Sequence, residues 1–536
     1  MTLYVSESFT PGEEDLLRRY FTNLDGPVFA LVNLPEVVKG ALFARYSRSA
    51  KSLRRLFLDE FVGELDVAGD QTFDATIGLK RAEDLYEKVF FEYGDDSVAQ
   101  LGGVHLACEQ ASNLLTKVLE WGRLASYLEQ STRYIAYDSR LGGRYRYSRD
   151  PAVLTSTLGT RYVGDMDRLF DAYAHLVDAV HDHVRATVPK QPGDSDFVYR
   201  QATRAKALDA VRGVLPAAAQ SNVGIYGSGQ AFESLLVRMR NHPLPEARTY
   251  ADLMLHELRK VIPSFLRRVD LPDRGGAWGE YQESTRAATA DVVSRLFAGD
   301  TPDDAAAVTL VDWDPDAEDK LLTAICYASS ALPERQIEAK VRGLSTDERV
   351  ALVQAYVGER GNRRHRPGRA FERVDYRFDV LSDYGAFRDL QRHRLLTIEW
   401  QALTPRHGYL RPELVDEAGG GATFDDAMAR SAALHDALVG IFPDQAAYAV
   451  AMAYRVRYVM QFNAREAMHL LELRSSPQGH PSYRRIALEM HRLIAEQAGH
   501  RAIAAAMTHL TAEAPALERL AAERRAEDRR LVQPST

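Results

Sequence analysis

"PVFALVNLPEVVKGALFARYSRS" (Pro27–Ser49) and "AAVTLVDWDPDAEDKLLTAICYASS" (Ala306–Ser330) decide the fold. Each runs from a short apolar strand through a turn with Pro and an acid into a helix that ends in a Tyr-containing segment. Leu31-Val32-Asn33 aligns with Leu310-Val311-Asp312, and Tyr46 with Tyr327. Self-similarity at this separation marks an internal repeat. The ends of the repeat agree as well. "LLVRMRNHPLPEARTYADLMLHEL" (Leu235–Leu258) parallels "LLELRSSPQGHPSYRRIALEMHRL" (Leu470–Leu493), each a helix, a Pro-containing turn and a second amphipathic helix. The boundary falls in "FAGDTPDDAAA" (Phe297–Ala307), a linker composition. The N-terminal half is longer, with extra helix around Met166–Val184. Helices dominate and each half carries several short strands, so the expected class is α/β or mixed α+β.

Outward from the repeat, composition sets limits. The chain has 536 residues, 67 Lys plus Arg against 75 Asp plus Glu, and a net charge of -8. Mild acidity argues against a general nucleic-acid binder. Two cysteines, Cys108 and Cys326, support neither a disulfide framework nor a four-thiolate zinc site, and reduced thiols in the cytoplasm are the simplest reading. Met1–Gly12 lacks a secretory pattern, and no apolar run approaches the ~20 residues of a membrane span. "YAVAMAY" (Tyr448–Tyr454) reads as a buried helix. The glycine run Gly419–Gly421 reads as a flexible loop. The tail Thr511–Arg530 reads as a solvated helix.

Three segments could carry chemistry. In "EWGRLASYLEQSTRYIAYD" (Glu120–Asp138), Glu129, Ser131 and Arg133 alternate, so an extended backbone points all three to one face. Such a group could grip a nucleotide through phosphate, sugar and base; a salt-bridged surface strand is the competing reading. In "FRDLQRHRLLTIEW" (Phe387–Trp400), Arg392, His393 and Arg394 stand where a helix ends. They suit a pyrophosphate and an electron-rich ring, or simply a basic helix C-terminus. In "QFNAREAMHLLELR" (Gln461–Arg474), a helix places Asn463, Ala467, Leu470 and Arg474 on one stripe, with Asn463 and Arg474 about 16 Å apart. There is no Walker loop and no serine-hydrolase elbow, and no His or Cys spacing suggests a metal. "GIYGSGQ" (Gly224–Gln230) lacks the strand–helix context of a dinucleotide fingerprint.

Together these segments resemble flavin-dependent thymidylate synthases. That family's signature is Arg-His-Arg, then Ser, then Glu-x-Ser-x-Arg; here it occurs twice, each time incomplete. Trp121, Gly122 and Arg123 replace the triplet in the first copy, while Ser126, Glu129, Ser131, Arg133 and Tyr134 match. The second copy keeps Arg392, His393 and Arg394, but Trp400, Ala402 and Thr404 replace the Glu, Ser and Arg. The family's Arg-x-x-Leu-Pro matches Arg212, Leu215 and Pro216, and its counterpart near Ala447–Ala451 has lost the Arg and Pro. Asn463, Arg465, His469 and Arg474 match the family's Asn-x-Arg helix. His365 matches its Gly-His loosely, with Asp95 at the N-terminal equivalent.

The resemblance implies two tandem copies of one helix-rich domain with a small sheet in each. Residues 1–298 retain the nucleotide-binding motif and 305–536 the flavin-binding motif. It implies reductive methylation of dUMP to dTMP, with FAD as cofactor and NADPH and methylenetetrahydrofolate as co-substrates, at a composite site between the halves. The alternative is a flavin- and nucleotide-binding paralogue that methylates another uracil nucleotide or has a regulatory or structural role. Arg474 and Ser131 are the implied catalytic residues. Glu129, Ser131, Arg133, Arg212, Arg392 and Arg474 would bind substrate. His365, Arg392, His393, Arg394, Asn463, Arg465 and His469 would hold FAD. A homodimer would complete a four-lobed assembly; neither nucleic acid nor membrane is implied as a partner.

Overall fold

The computed structural model describes residues 4–34, 36–62, 102–513 and 516–532. Asp95 lies outside them. The class is mixed α/β, as expected, and the repeat is visible in topology. Strands β1 (Val28–Leu31), β2 (Gly103–Ser112), β3 (Ala125–Glu129) and β4 (Gln220–Ser228) form an antiparallel sheet in the order β1-β2-β4-β3. Strands β5 (Val308–Trp313), β6 (Asp375–Asp383), β7 (Thr397–Trp400) and β8 (Arg455–Asn463) form a second in the order β5-β6-β8-β7. Along β8 the apolar Val456, Tyr458, Met460 and Phe462 are buried in strict alternation. That period of two makes it a strand and aims one face at the core.

Each sheet hands over to helices in the same way. β2 ends at Ser112, whose hydroxyl accepts from Leu115 N at 3.0 Å and caps the Asn113–Leu119 helix. β6 ends at Asp383, whose carboxylate accepts from Ala386 N at 2.9 Å and caps Tyr384–Leu390. β4 and β8 are both nine residues long and end at cap residues, Ser228 before Gly229–Arg240 and Asn463 before Ala464–Arg474. The next helices, Pro245–Leu258 and Pro481–Glu496, both begin on proline, whose fixed φ suits a first helical turn.

The chain packs as two compact units, each drawing on both halves of the sequence. Unit 1 comprises Met1–His175, Val214–Pro302 and Thr423–Ala451; unit 2 comprises Leu176–Gly213, Asp303–Ala422 and Met452–Thr536. In unit 1, Tyr448 donates its hydroxyl to Glu246 at 2.6 Å, and Arg430 pairs with Asp165 at 3.1 Å. In unit 2, Arg519 pairs with Asp209 at 2.9 Å, and Ala453 N donates to Gly213 O at 2.8 Å.

Three local expectations need correction. Tyr448–Tyr454 is buried but not an α-helix. A 3-10 turn, Ala446–Ala449, gives way to extended chain in which Ala451 bridges Pro216. Gly419–Gly421 is a helix junction rather than a loose loop. Gly419 (φ 74) and Gly420 return their N–H groups to Asp416 and Val415, closing the Glu413–Glu417 helix. Gly224–Gln230 does occupy a strand–helix junction, but its glycines serve packing. A Cβ on Gly224 would lie 2.7 Å from Phe43, and one on Gly229 2.8 Å from Phe265. Among the described residues no helix is long and apolar enough to cross a membrane.

Candidate active site

The Tyr384–Leu390 helix ends at its cap Gln391, and the basic triplet follows directly, as the sequence predicts. Leu390 before the triplet and Leu396 after it are buried, which draws the middle of the turn inward. His393 is buried while Arg392 and Arg394 are exposed on either side. Arg474 Nε donates to His393 Nε2 at 3.0 Å. An accepting Nε2 leaves the proton on Nδ1, which faces Glu466 Oε1 at 2.9 Å. Burial, reinforced by Arg474, His469 and Arg366, holds the His393 pKa well below the usual range, so the ring is neutral. Burial pushes Glu466 up to about 7, against the pull of Arg366, Arg465 and Arg474.

His469 lies beside His393, ring centroids 5.3 Å apart, and Arg366 Nη2 is 2.9 Å from its Nδ1. Burial and the arginines lower His469 to about 4. His393, Glu466 and His469 are close enough together to hold a metal ion. Yet guanidinium N–H groups already engage Nε2 of His393 and Nδ1 of His469, and a cation there would sit among Arg366, Arg465 and Arg474. This donor-rich cluster suits an anion.

Arg474 extends the cluster. Its guanidinium lies over the Tyr483 ring at 5.4 Å and feels both Asp389 and Arg392. Asp389 in turn accepts from Arg212 Nη1 at 3.1 Å. Arg212 stands just after the Asp196–Val211 helix, so the N-terminal half supplies a buried guanidinium to unit 2. Its Nη2 is buried without a hydrogen-bond partner among the described residues. A desolvated N–H left open in this way is a donor waiting for a ligand.

The remaining predicted flavin residues have structural work as well. Asn463 caps its helix by accepting Glu466 N at 2.9 Å. That explains its place on the Arg474 stripe without a ligand. Arg465 holds a loop, donating to Pro367 O at 3.0 Å and pairing with Glu372 at 3.1 Å. His365 is exposed at the turn of that loop, its Nδ1 accepting from Gly361 N at 3.2 Å.

Unit 1 holds the other predicted set. Glu129 ends β3 opposite Val223, and its carboxylate is buried 3.3 Å from Lys117 Nζ, which also binds Glu120 at 2.6 Å. A salt-bridged surface strand is therefore excluded for Glu129. The extended path stops there. Ser131 Oγ accepts from Arg133 N at 3.3 Å, and Ser131 O accepts from Tyr134 and Ile135 N. This turn means that Ser131 and Arg133 do not continue the alternation begun by Glu129. A hydroxyl that can accept a backbone N–H two residues on favours such a turn over a strand. In unit 1 the triplet position holds exposed Trp121, with Arg238 over its ring at 4.8 Å.

The family model described as thymidylate synthase complementing protein matches residues 43–264 and again 309–499. The chain belongs to the thymidylate synthase complementing protein family. A UPF0159 protein of Chlamydia muridarum is 39% identical over 486 residues, covering 90% of this chain and 92% of the relative. A UPF0159 protein of Thermoplasma acidophilum is 30% identical, covering 84% and 91%. Among solved structures, a UMP/dUMP methylase PolB from Streptomyces cacaoi bound with 5-Br dUMP aligns at 20% identity and TM-score 0.29, covering 37% of this chain and 94% of that one.

As a member of the thymidylate synthase complementing protein family, the chain is a thymidylate synthase-like enzyme. Several groups in its clusters are missed by motif reading. Lys117 lies in the Asn113–Leu119 helix, outside the three segments singled out, and Glu466 lies between two predicted cofactor residues. Arg360 and Arg366 belong to the arginine-dense "GERGNRRHRPGR" (Gly358–Arg369), whose composition is the available signal. Within it Arg360 is clamped by Glu472 through two contacts of 2.6 Å, both side chains buried.

Proposed function

We propose that this chain reductively methylates dUMP to dTMP at a site to which both halves contribute. The observation that carries the reading is the buried line Glu466–His393–Arg474–Asp389–Arg212, built from both copies of the repeat. Arg474 would stabilise negative charge developing on the uracil ring, a fixed cation that needs no reorganisation. Neutral His393 keeps Arg474 aimed by accepting its Nε–H, and Glu466 fixes the tautomer that allows this. Arg212, with its open Nη2, would contact the nucleotide phosphate. In unit 1, Arg133, Glu129 and Ser131 would serve a nucleotide's phosphate, sugar and base.

The donor set fits a flavin. Arg392, Arg394 and Arg366 are exposed cations around buried His393 and half-buried His469, which suits a pyrophosphate and an electron-rich ring. Arg392, His393, Arg394, Asn463, Arg465, His469 and His365 would hold FAD. When bound, FAD supplies the hydride, with NADPH as reductant and methylenetetrahydrofolate as one-carbon donor. Two chains would form a homodimer of four lobes.

The test is direct. The purified protein should show a flavin spectrum and release tritium from 5-tritiated dUMP when NADPH and methylenetetrahydrofolate are present. Flavin without release from dUMP, but with release from 5-tritiated UMP, would move the substrate to another uracil nucleotide. Absence of both flavin and release would overturn the enzyme reading.

A further inference from the structure

The tail expected to be solvated is partly built into the fold. Leu517 and Arg519 are buried, and the Leu520–Val532 helix that follows packs along Asp196–Val211. Both helices belong to unit 2. Three ion pairs join the two segments. Glu518 pairs with Lys206, and Arg524 pairs with Asp194 at 2.6 Å. Arg519 Nη2 donates to both carboxylate oxygens of Asp209, at 3.0 and 2.9 Å. The Arg519 and Asp209 side chains are only 5% and 11% exposed. The pair is therefore shielded from the water and salt that make exposed pairs weak.

The Asp196–Val211 helix gains from such a hold. Its buried side chains include Ala202, Ala205, Ala207 and Ala210. Alanines withdraw little apolar surface from water and anchor a helix weakly. Its end carries the chemistry: Arg212 follows Val211, reaches Asp389 at 3.1 Å and keeps Nη2 open. Asp209 stands three residues earlier, a neighbour of Arg212 on the helix surface. Two groups hold Asp209. His480 accepts Ser482 N on Nδ1 at 3.2 Å, so its Nε2 carries the proton and donates to Asp209 O at 3.1 Å. Arg519 takes the carboxylate. The first contact fixes where the last turn lies, and the second resists its rotation about the helix axis. Such a rotation would swing the long Arg212 side chain off its target.

We propose that the C-terminal tail is a strap and Arg519 a positioning residue: by holding Asp209 it sets where the Arg212 guanidinium meets the nucleotide phosphate. This rests on the nucleotide role proposed above for Arg212. Arg519 acts through Asp209 and the helix turn, without touching the nucleotide. A tail that only added stability would behave differently, because its loss would weaken the fold whether or not Arg212 were present.

Two measurements on the full-length chain test this. Hydrogen exchange read by mass spectrometry should show faster exchange over residues 205–213 in Arg519→Ala, with Tyr384–Leu390 and Ala464–Arg474 unchanged. Unaltered protection of 205–213 would overturn the strap. In binding titrations Arg519→Ala should take dUMP about ten-fold more weakly, the size of one lost charge-assisted contact. Flavin occupancy should stay at the wild-type level, and Arg519→Lys should recover most of the loss. The deciding comparison is made in an Arg212→Ala background. A residue that acts through Arg212 has nothing left to lose there, so adding Arg519→Ala should change dUMP affinity by less than about two-fold. A further loss as large as in the wild-type background would make the tail a general stabiliser and overturn the positioning role. A chain that binds dUMP but is indifferent to Arg519→Ala would overturn that role alone. A wild-type chain that binds no dUMP would overturn the nucleotide reading of Arg212 and the positioning role with it, leaving the strap to stand or fall on exchange.

Discussion

At the end of β2 in unit 1, Ser112 donates its hydroxyl to Glu246 at 2.6 Å; at the end of β6 in unit 2, Ser482 donates its hydroxyl to Asp383. The positions correspond, cap residue to the first turn of the helix that begins on proline, but hydroxyl and carboxylate have changed places. Burial raises both carboxyls, and each has a further partner from the opposite half of the sequence, Tyr448 for Glu246 and the charge of Arg212 for Asp383. The fold needs the bond and is indifferent to which side supplies the acid. Beyond it the units diverge. Unit 1 buries one lysine with two glutamates, Lys117, Glu120 and Glu129. Unit 2 strings acids among arginines and a neutral histidine, with open donor capacity. One cluster sets two acids on a lysine, the other is built to receive an anion.

The largest effect should come from breaking the Lys117 cluster. Lys117→Met removes the cation that buried Glu120 and Glu129 share and should cost about 3–5 kcal/mol of stability, read by urea denaturation. A loss near zero would mean that the two acids share a proton and that the lysine is dispensable. Next is Arg474→Ala. If Arg474 meets charge that develops only in the transition state, turnover should fall by about 10²–10³ while nucleotide affinity changes little. An equal fall in affinity and rate would make it an ordinary binding residue.

The pH dependence sharpens the contrast further. Glu466 sits at about 7 in the folded chain against 4.5 unfolded, so between those values the native state holds a proton that the unfolded chain has released. Its contribution to stability therefore declines as pH rises from about 4.5 through about 7. Glu466→Gln still accepts the His393 Nδ1–H but cannot titrate. Wild-type flavin affinity should change across pH 7 and the variant should stay flat; identical profiles would remove Glu466 from the site. His469, at about 4, stays neutral over the same range.

The repeat, its strands and the triplet at a helix end were legible because hydrophobic period and helix punctuation are local. Chain exchange between the units was not. Nothing near Arg212 says that it will pack beside Asp389, nor near Tyr448 that it will serve Glu246, since the contacts join residues 177 and 202 positions apart. The turn at Ser131 was missed for a different reason. Alternation of polar residues in Glu129–Arg133 fits a strand equally well until the Ser131 hydroxyl claims a backbone N–H.

The smallest expected effect separates fold from function most cleanly. Ser228 and Asn463 do the same capping job in the two units, accepting from Ala231 N at 3.3 Å and Glu466 N at 2.9 Å. Either one changed to Ala should cost about 1 kcal/mol, visible as a shift in melting temperature. Serine and asparagine are near-equal caps, so Asn463→Ser and Ser228→Asn should leave stability almost untouched. Any loss of flavin affinity in Asn463→Ser then belongs to the carboxamide itself, a contact capping cannot account for. If Asn463→Ser binds flavin like wild type, Asn463 is a cap and leaves the cofactor set, which then rests on the histidines and arginines of unit 2.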